Sequence, residues 1–120
     1  MKNKKIKVLL IGHFADILIE ILKEIFSNFE IDRIDPMTCS EDYFLRLIYD
    51  DFRPHIILIN INTYAKNKEF YNGNLAKKLS KVCFRIVSMP EIWEKDTLET
   101  RELLKNYIEG ILKELEKKNS

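Results

Sequence analysis

Few side chains in this sequence can do covalent chemistry near neutral pH, and His13 is the best placed of them. It follows Gly12 at the end of an apolar run, residues 5–11 (KIKVLLI), and precedes a stretch with helical spacing. A neutral imidazole is a nucleophile toward a phosphoryl group when an acceptor on its second nitrogen fixes the tautomer. Asn62 can be that acceptor through its amide oxygen, and Asp16 and Asp35 are further candidates. The start of the helix after His13 offers free N–H groups and a positive dipole end to an anion. The competing role for His13 is structural, as a helix cap or as packing at the strand end. His55 opens the run HIILININ, at the other end of its strand, and reads as structural or surface. No Ser-His-Asp order, HExxH or paired-carboxylate motif is present.

The elements that must position His13 are marked by hydrophobic periodicity. Residues 5–11 form a continuous apolar run, as in a strand buried on both faces. Ile17, Leu18, Ile21, Leu22, Ile25 and Phe26 follow with the spacing of an amphipathic helix. Residues 30–35 (EIDRID) alternate like a half-buried edge strand, closed by Pro36. Ser40 is an N-cap ahead of Glu41 and Asp42, for a helix that buries Phe44, Leu47 and Ile48 and ends near Phe52, before Pro54. Residues 55–62 make a second buried strand. Residues 63–74 are a polar loop that turns into a helix carrying Leu75 and Leu79, and residues 82–88 are a fourth strand stopped at Met89-Pro90. Asp96 and Glu99 have capping-box spacing, and Leu104, Tyr107, Ile108, Ile111, Leu112 and Leu115 mark a final long helix.

This β-α-β-α-β-α-β-α order predicts one α/β domain over residues 1–120, a small doubly wound parallel sheet with helices on both faces. The two most apolar strands belong at its centre and the alternating strand at an edge, giving the order 2-1-3-4. Ligands of such sheets collect at the carboxyl ends of strands 1 and 3. Neighbouring strands lie about 5 Å apart, so His13 and Asn62 are expected to be side-chain neighbours.

Composition narrows the function. The 120 residues are 46% hydrophobic and 32% charged with a net charge of +1, which suits a soluble globular chain and gives no global drive toward nucleic acid. Only three glycines occur, Gly12, Gly73 and Gly110, so neither a GxxxxGK[ST] phosphate loop nor a GxGxxG dinucleotide loop exists. Cys39 and Cys83 form no CxxC or Cys/His cluster, which argues for free thiols rather than a disulfide framework or zinc site. The basic start MKNKK precedes too short an apolar run for a signal peptide, and no stretch approaches a membrane span. A cytoplasmic location is expected. Trp93 reads as core or a partner anchor, and Lys77, Lys78 and Lys81 as a solvated helix face.

With these residues in view, the chain resembles the mannose-type IIA component of the bacterial sugar phosphotransferase system, also used as the phosphocarrier subunit of dihydroxyacetone kinase. VLLIGHFADILIEILKEIF is similar to that family's first strand, phosphorylated histidine and following helix. EIDRIDPMTCSEDYFLRLI, ILININTY, GNLAKKL and VSMPEIWE are similar to its second strand, third strand, next helix start and the turn after strand 4. The resemblance implies that His13 accepts the phosphoryl group and that Asn62 stands where the family has a histidine-orienting aspartate. Gly12, Phe14, Asp16 and Thr63 complete the set expected to support the phosphate. It further implies a histidine-phosphorylated carrier protein as donor, a downstream IIB-like or kinase partner, a homodimer, and no metal, nucleotide or nucleic acid. Contact with a membrane would be peripheral at most. The sequence departs from the family where Phe14 follows the histidine instead of glycine, and where Ala65-Lys66-Asn67-Lys68 replaces a GGSP loop.

A second resemblance belongs to a different class. PHIILININ is similar to the strand of a two-component receiver, with Asn60 where the phospho-accepting aspartate would fall. Gly12-His13 stands where a receiver carries an acidic pair for magnesium, and the fifth strand with its lysine-proline pair is missing. On this reading the chain is a pseudo-receiver, an interaction module that is not phosphorylated. Half of a glycosyltransferase-like sheet is a third possibility without any nucleotide-sugar feature.

Overall fold

The computed structural model describes residues 5–34, 46–69, 71, 82–88 and 91–118. Strands β1 (Ile6–Ile11), β2 (Phe29–Ile34), β3 (Ile56–Asn60) and β4 (Cys83–Val87) form one sheet in the order β2-β1-β3-β4, and every pairing is parallel. The helices are α1 (Asp16–Ile25), α2 (Ile61–Lys66) and α3 (Leu98–Lys118), with a π-helical turn at Leu47–Asp51 and a 3-10 turn at Glu91–Glu94. The α/β class and the strand order are those the sequence predicts.

Side chains alternate across the sheet, so β1 and β3 build two cores at once. On one face Val8, Leu10, Ile56 and Leu58 pack with Leu18, Ile21 and Leu22 of α1 and with Leu104, Ile108, Ile111 and Leu115 of α3. On the other face Leu9, Ile11, Ile57 and Ile59 pack with Ile48 and Tyr71. All five residues of β3 are buried, which is why its first four are continuously apolar, and Asn60 is buried with its amide hydrogen-bonded. Strand β2 lies at the edge, as expected, with Asp32 and Arg33 on opposite faces both exposed.

Strand ends differ from expectation by a residue at β2 and β4, and residues 63–66 of the expected polar loop are helical. Two further boundaries differ for reasons the side chains show. Strand β3 ends at Asn60 rather than at residue 62, and α2 begins at once. Asn60 is extended and its side chain accepts from the Asn62 N–H at 2.8 Å, so an N-cap interrupts the apparent alternation of NIN. The final helix is capped by Thr97, whose Oγ1 accepts from the Thr100 N–H at 3.0 Å, instead of by Asp96. Asp96 pairs with Arg101, at 2.8 Å from Oδ1 to Nε, and Arg101 also reaches Glu24 on α1. The guanidinium holds the Asp96 carboxyl below its ordinary range. Trp93 packs in the core against Tyr107, with ring centroids 5.6 Å apart.

His55 has the structural role expected of it. Its Nδ1 accepts from the Lys7 N–H at 3.0 Å and its own N–H donates to the Lys7 carbonyl, tying the start of β3 to β1. Ser40, Phe44, Leu75, Leu79, Cys39, Gly73 and the lysines at 77, 78 and 81 lie outside the described residues. No helix among those described is long and apolar enough to cross a membrane.

Candidate functional site

The site is the connection from β1 to α1, residues 12–15, at the carboxyl end of the sheet. Here β1 is flanked by β2 on one side and β3 on the other, and the chain's crossovers diverge. Gly12 begins the connection with φ +98°, a left-handed conformation open to glycine. A Cβ at this position would overlap the Thr63 hydroxyl and lie 3.0 Å from the Asn60 Cβ. Gly12 is therefore required twice, for its backbone angle and for the close approach of α2.

Three backbone groups of the connection are held by the neighbouring strands. The Gly12 N–H donates to the Ile34 carbonyl at 3.1 Å, at the end of β2. The His13 carbonyl accepts from Asn60 Nδ2 at 2.9 Å, from the end of β3. The Phe14 carbonyl accepts from Arg33 Nη1 at 3.4 Å, again from β2. The Phe14 ring is 2% exposed and packs in the core shared by α1 and α3. Ala15 is extended and supplies no side-chain cap to α1; its carbonyl accepts from the Leu18 N–H at 3.1 Å, and the N–H groups of Asp16 and Ile17 have no partner among the described residues.

What this clamp leaves exposed is the side chain of His13. The imidazole has no hydrogen-bond partner among the described residues, so its ring nitrogens are open to a reacting group. Asp16, also exposed, forms an ion pair with Arg33 at 2.7 Å. Pairs this open to water contribute about 0–1 kcal/mol to stability.

The expected residues are thus brought together in part. Gly12 and His13 lie on the connection, Asp16 begins α1 beside it, and Thr63 lies against Gly12. The expected side-chain pairing of His13 with Asn62 is corrected: β3 stops two residues early, and Asn60 makes the cross-strand bond, to the His13 backbone. Asn62 sits exposed in the first turn of α2 and meets Asn60 through its backbone N–H. Phe14 touches the site through its carbonyl alone, its side chain being core. Asp35 lies outside the described residues.

The roles of two residues at the site were not read from the sequence. Asn60, placed there only by the receiver resemblance, carried a usable signal, since asparagine is a favoured N-cap. Arg33 carried none, because a side chain crossing from one strand to the next strand's connection has no characteristic spacing. Among the described residues no group of three His, Cys, Asp or Glu side chains is placed to hold a metal ion. In comparisons with known proteins the chain matches no family model and has no significant match among curated proteins or solved structures.

Proposed function

We propose that the chain is a histidine phosphocarrier that takes a phosphoryl group onto His13 from a histidine-phosphorylated carrier protein and passes it to a downstream partner. The observation that carries this reading is the exposed imidazole on a connection whose backbone is fixed from both sides. The imidazole nitrogen attacks the phosphorus, the P–N bond to the donor histidine breaks, and the reverse displacement hands the group on. The N–H groups of Asp16 and Ile17 at the start of α1, three and four residues downstream, have no partner among the described residues and favour the added negative charge. The mannose-type IIA resemblance supports the same role, with a sugar-specific IIB-like or kinase partner, a homodimer and a cytoplasmic setting. The carboxylate that this family places beside its histidine has no counterpart at Asn62, so orientation of the loop rests on Asn60.

Incubation with phosphoenolpyruvate and the general phosphotransferase proteins, followed by intact mass, tests the proposal. An acid-labile gain of one phosphoryl group that disappears in His13→Ala is the expected result. Absence of any gain at high donor concentration would refute it and favour the pseudo-receiver reading. One observation favours that second reading: Asn60, at the receiver's acceptor position, is buried, cannot be phosphorylated and has both ends of its amide committed.

A further inference from the structure

The guanidinium of Arg33 is a second functional group at the His13 connection. Its Nη1 is occupied, lying 2.7 Å from Asp16 Oδ1 and 3.4 Å from the Phe14 carbonyl oxygen. Its Nε and Nη2 have no partner among the described residues, and the side chain is half exposed. The guanidinium is met at one nitrogen, and its remaining edge has no partner among the described residues. It presents two parallel donors, the geometry that matches phosphoryl oxygens. Its anchor, the carbonyl of Phe14, belongs to the residue next to His13 in the chain. Asp16 is 81% exposed, so solvent can take over its carboxylate when a dianion competes for the guanidinium.

We infer that Arg33 is the residue that holds the phosphoryl group on His13, with Asp16 as the counter-ion it leaves when the group arrives. This rests on the phosphocarrier reading for its purpose. Its chemistry stands apart, because the phosphoryl group can be installed without a protein donor. Phosphoramidate serves: an imidazole nitrogen attacks its phosphorus, the P–N bond to nitrogen breaks, and ammonia leaves with the proton. Loss of the group is driven by negative charge on its oxygens, which expels the imidazole. A guanidinium drawing on those oxygens slows that loss.

The experiment is phosphoramidate treatment of the whole chain, then the decay of phosphohistidine at His13 followed by 31P NMR and intact mass. Wild type, Arg33→Gln and Asp16→Asn are compared. Glutamine keeps one donor for the Phe14 carbonyl, and circular dichroism checks that each variant is folded. Arg33→Gln is expected to shorten the half-life at least threefold, while Asp16→Asn, which removes the carboxylate competing for the guanidinium, is expected to lengthen it. Equal half-lives in wild type and Arg33→Gln overturn the inference, as does failure of His13 to react at all. A shortened half-life together with no transfer from the phosphotransferase proteins sustains the role of Arg33 and removes the carrier reading alone.

Discussion

Asn60 is the position where one side chain carries two separable jobs. It is 7% exposed, caps α2 by accepting from the Asn62 N–H at 2.8 Å, and clamps the β1–α1 connection by donating to the His13 carbonyl at 2.9 Å. Replacing an Asn cap by Ala costs about 1 kcal/mol. Losing the clamp removes a further ~1 kcal/mol, a typical net hydrogen bond, because the exposed loop lets water reach the freed carbonyl. Asn60→Ala is therefore expected to lose about 2 kcal/mol, which for a domain of this size lowers Tm by roughly 8 °C. Asn60→Ser separates the terms: serine caps as well as asparagine but is too short to reach His13, so it should lose only the clamp, about 1 kcal/mol. Urea denaturation followed by circular dichroism gives the energies, and hydrogen exchange at the Asn62 amide reports the cap. That amide should stay protected in the serine variant and exchange faster in the alanine variant. Identical losses in the two variants, with equal exchange at Asn62, would show that the two bonds do not act as separate restraints.

Three further perturbations probe the surroundings. Gly12→Ala meets both a positive φ and the Thr63 hydroxyl, and should cost about 2 kcal/mol or more; Thr63→Ala in the same chain should recover about 1 kcal/mol of it in a double-mutant cycle. Phe14→Ala should destabilise by about 3–5 kcal/mol in urea titrations, as expected of a core ring, whereas a group serving only to support phosphate would leave stability unchanged. The Asp96 carboxyl is held below its ordinary range first by its hydrogen bond from Arg101. A depressed folded-state value means the contribution is present above the unfolded value and is lost as pH falls through the folded one. Between pH 6 and 3 the wild-type urea midpoint should therefore fall further than that of Asp96→Asn, and parallel curves would contradict the assignment.

The sheet was legible because burial leaves a strong local trace. A strand covered on both faces cannot alternate, so KVLLI and IILI announce central strands, and the single alternating run, EIDRI, announces an edge. The boundaries failed where two residues of similar type compete. Asn60 and Asn62 both look like the outward positions of a strand, and only the chain's turn into α2 decides that one is a cap. Asp96 and Thr97 are both acceptable caps, and Arg101 removes Asp96 from the contest by pairing with it. Such choices depend on partners distant in sequence or on the next element, which periodicity does not record.

The site was legible in one residue and hidden in its support. His13 could be found because position alone, after a glycine that ends a central strand, places it at the crevice of a 2-1-3-4 sheet. Its exposure was not given by position. It follows from three contacts that hold the backbone of residues 12–14 to both neighbouring strands, and from the Phe14 ring anchored in the core. The groups making those contacts, the Ile34 carbonyl, Asn60 and Arg33, come from strands that meet β1 only in the folded chain. Bringing His13 inward would break these three hydrogen bonds and lift Phe14 from the core, and the core ring alone makes that costly. The imidazole is presented to solvent by construction, so any reaction or partner it serves must come to it from outside.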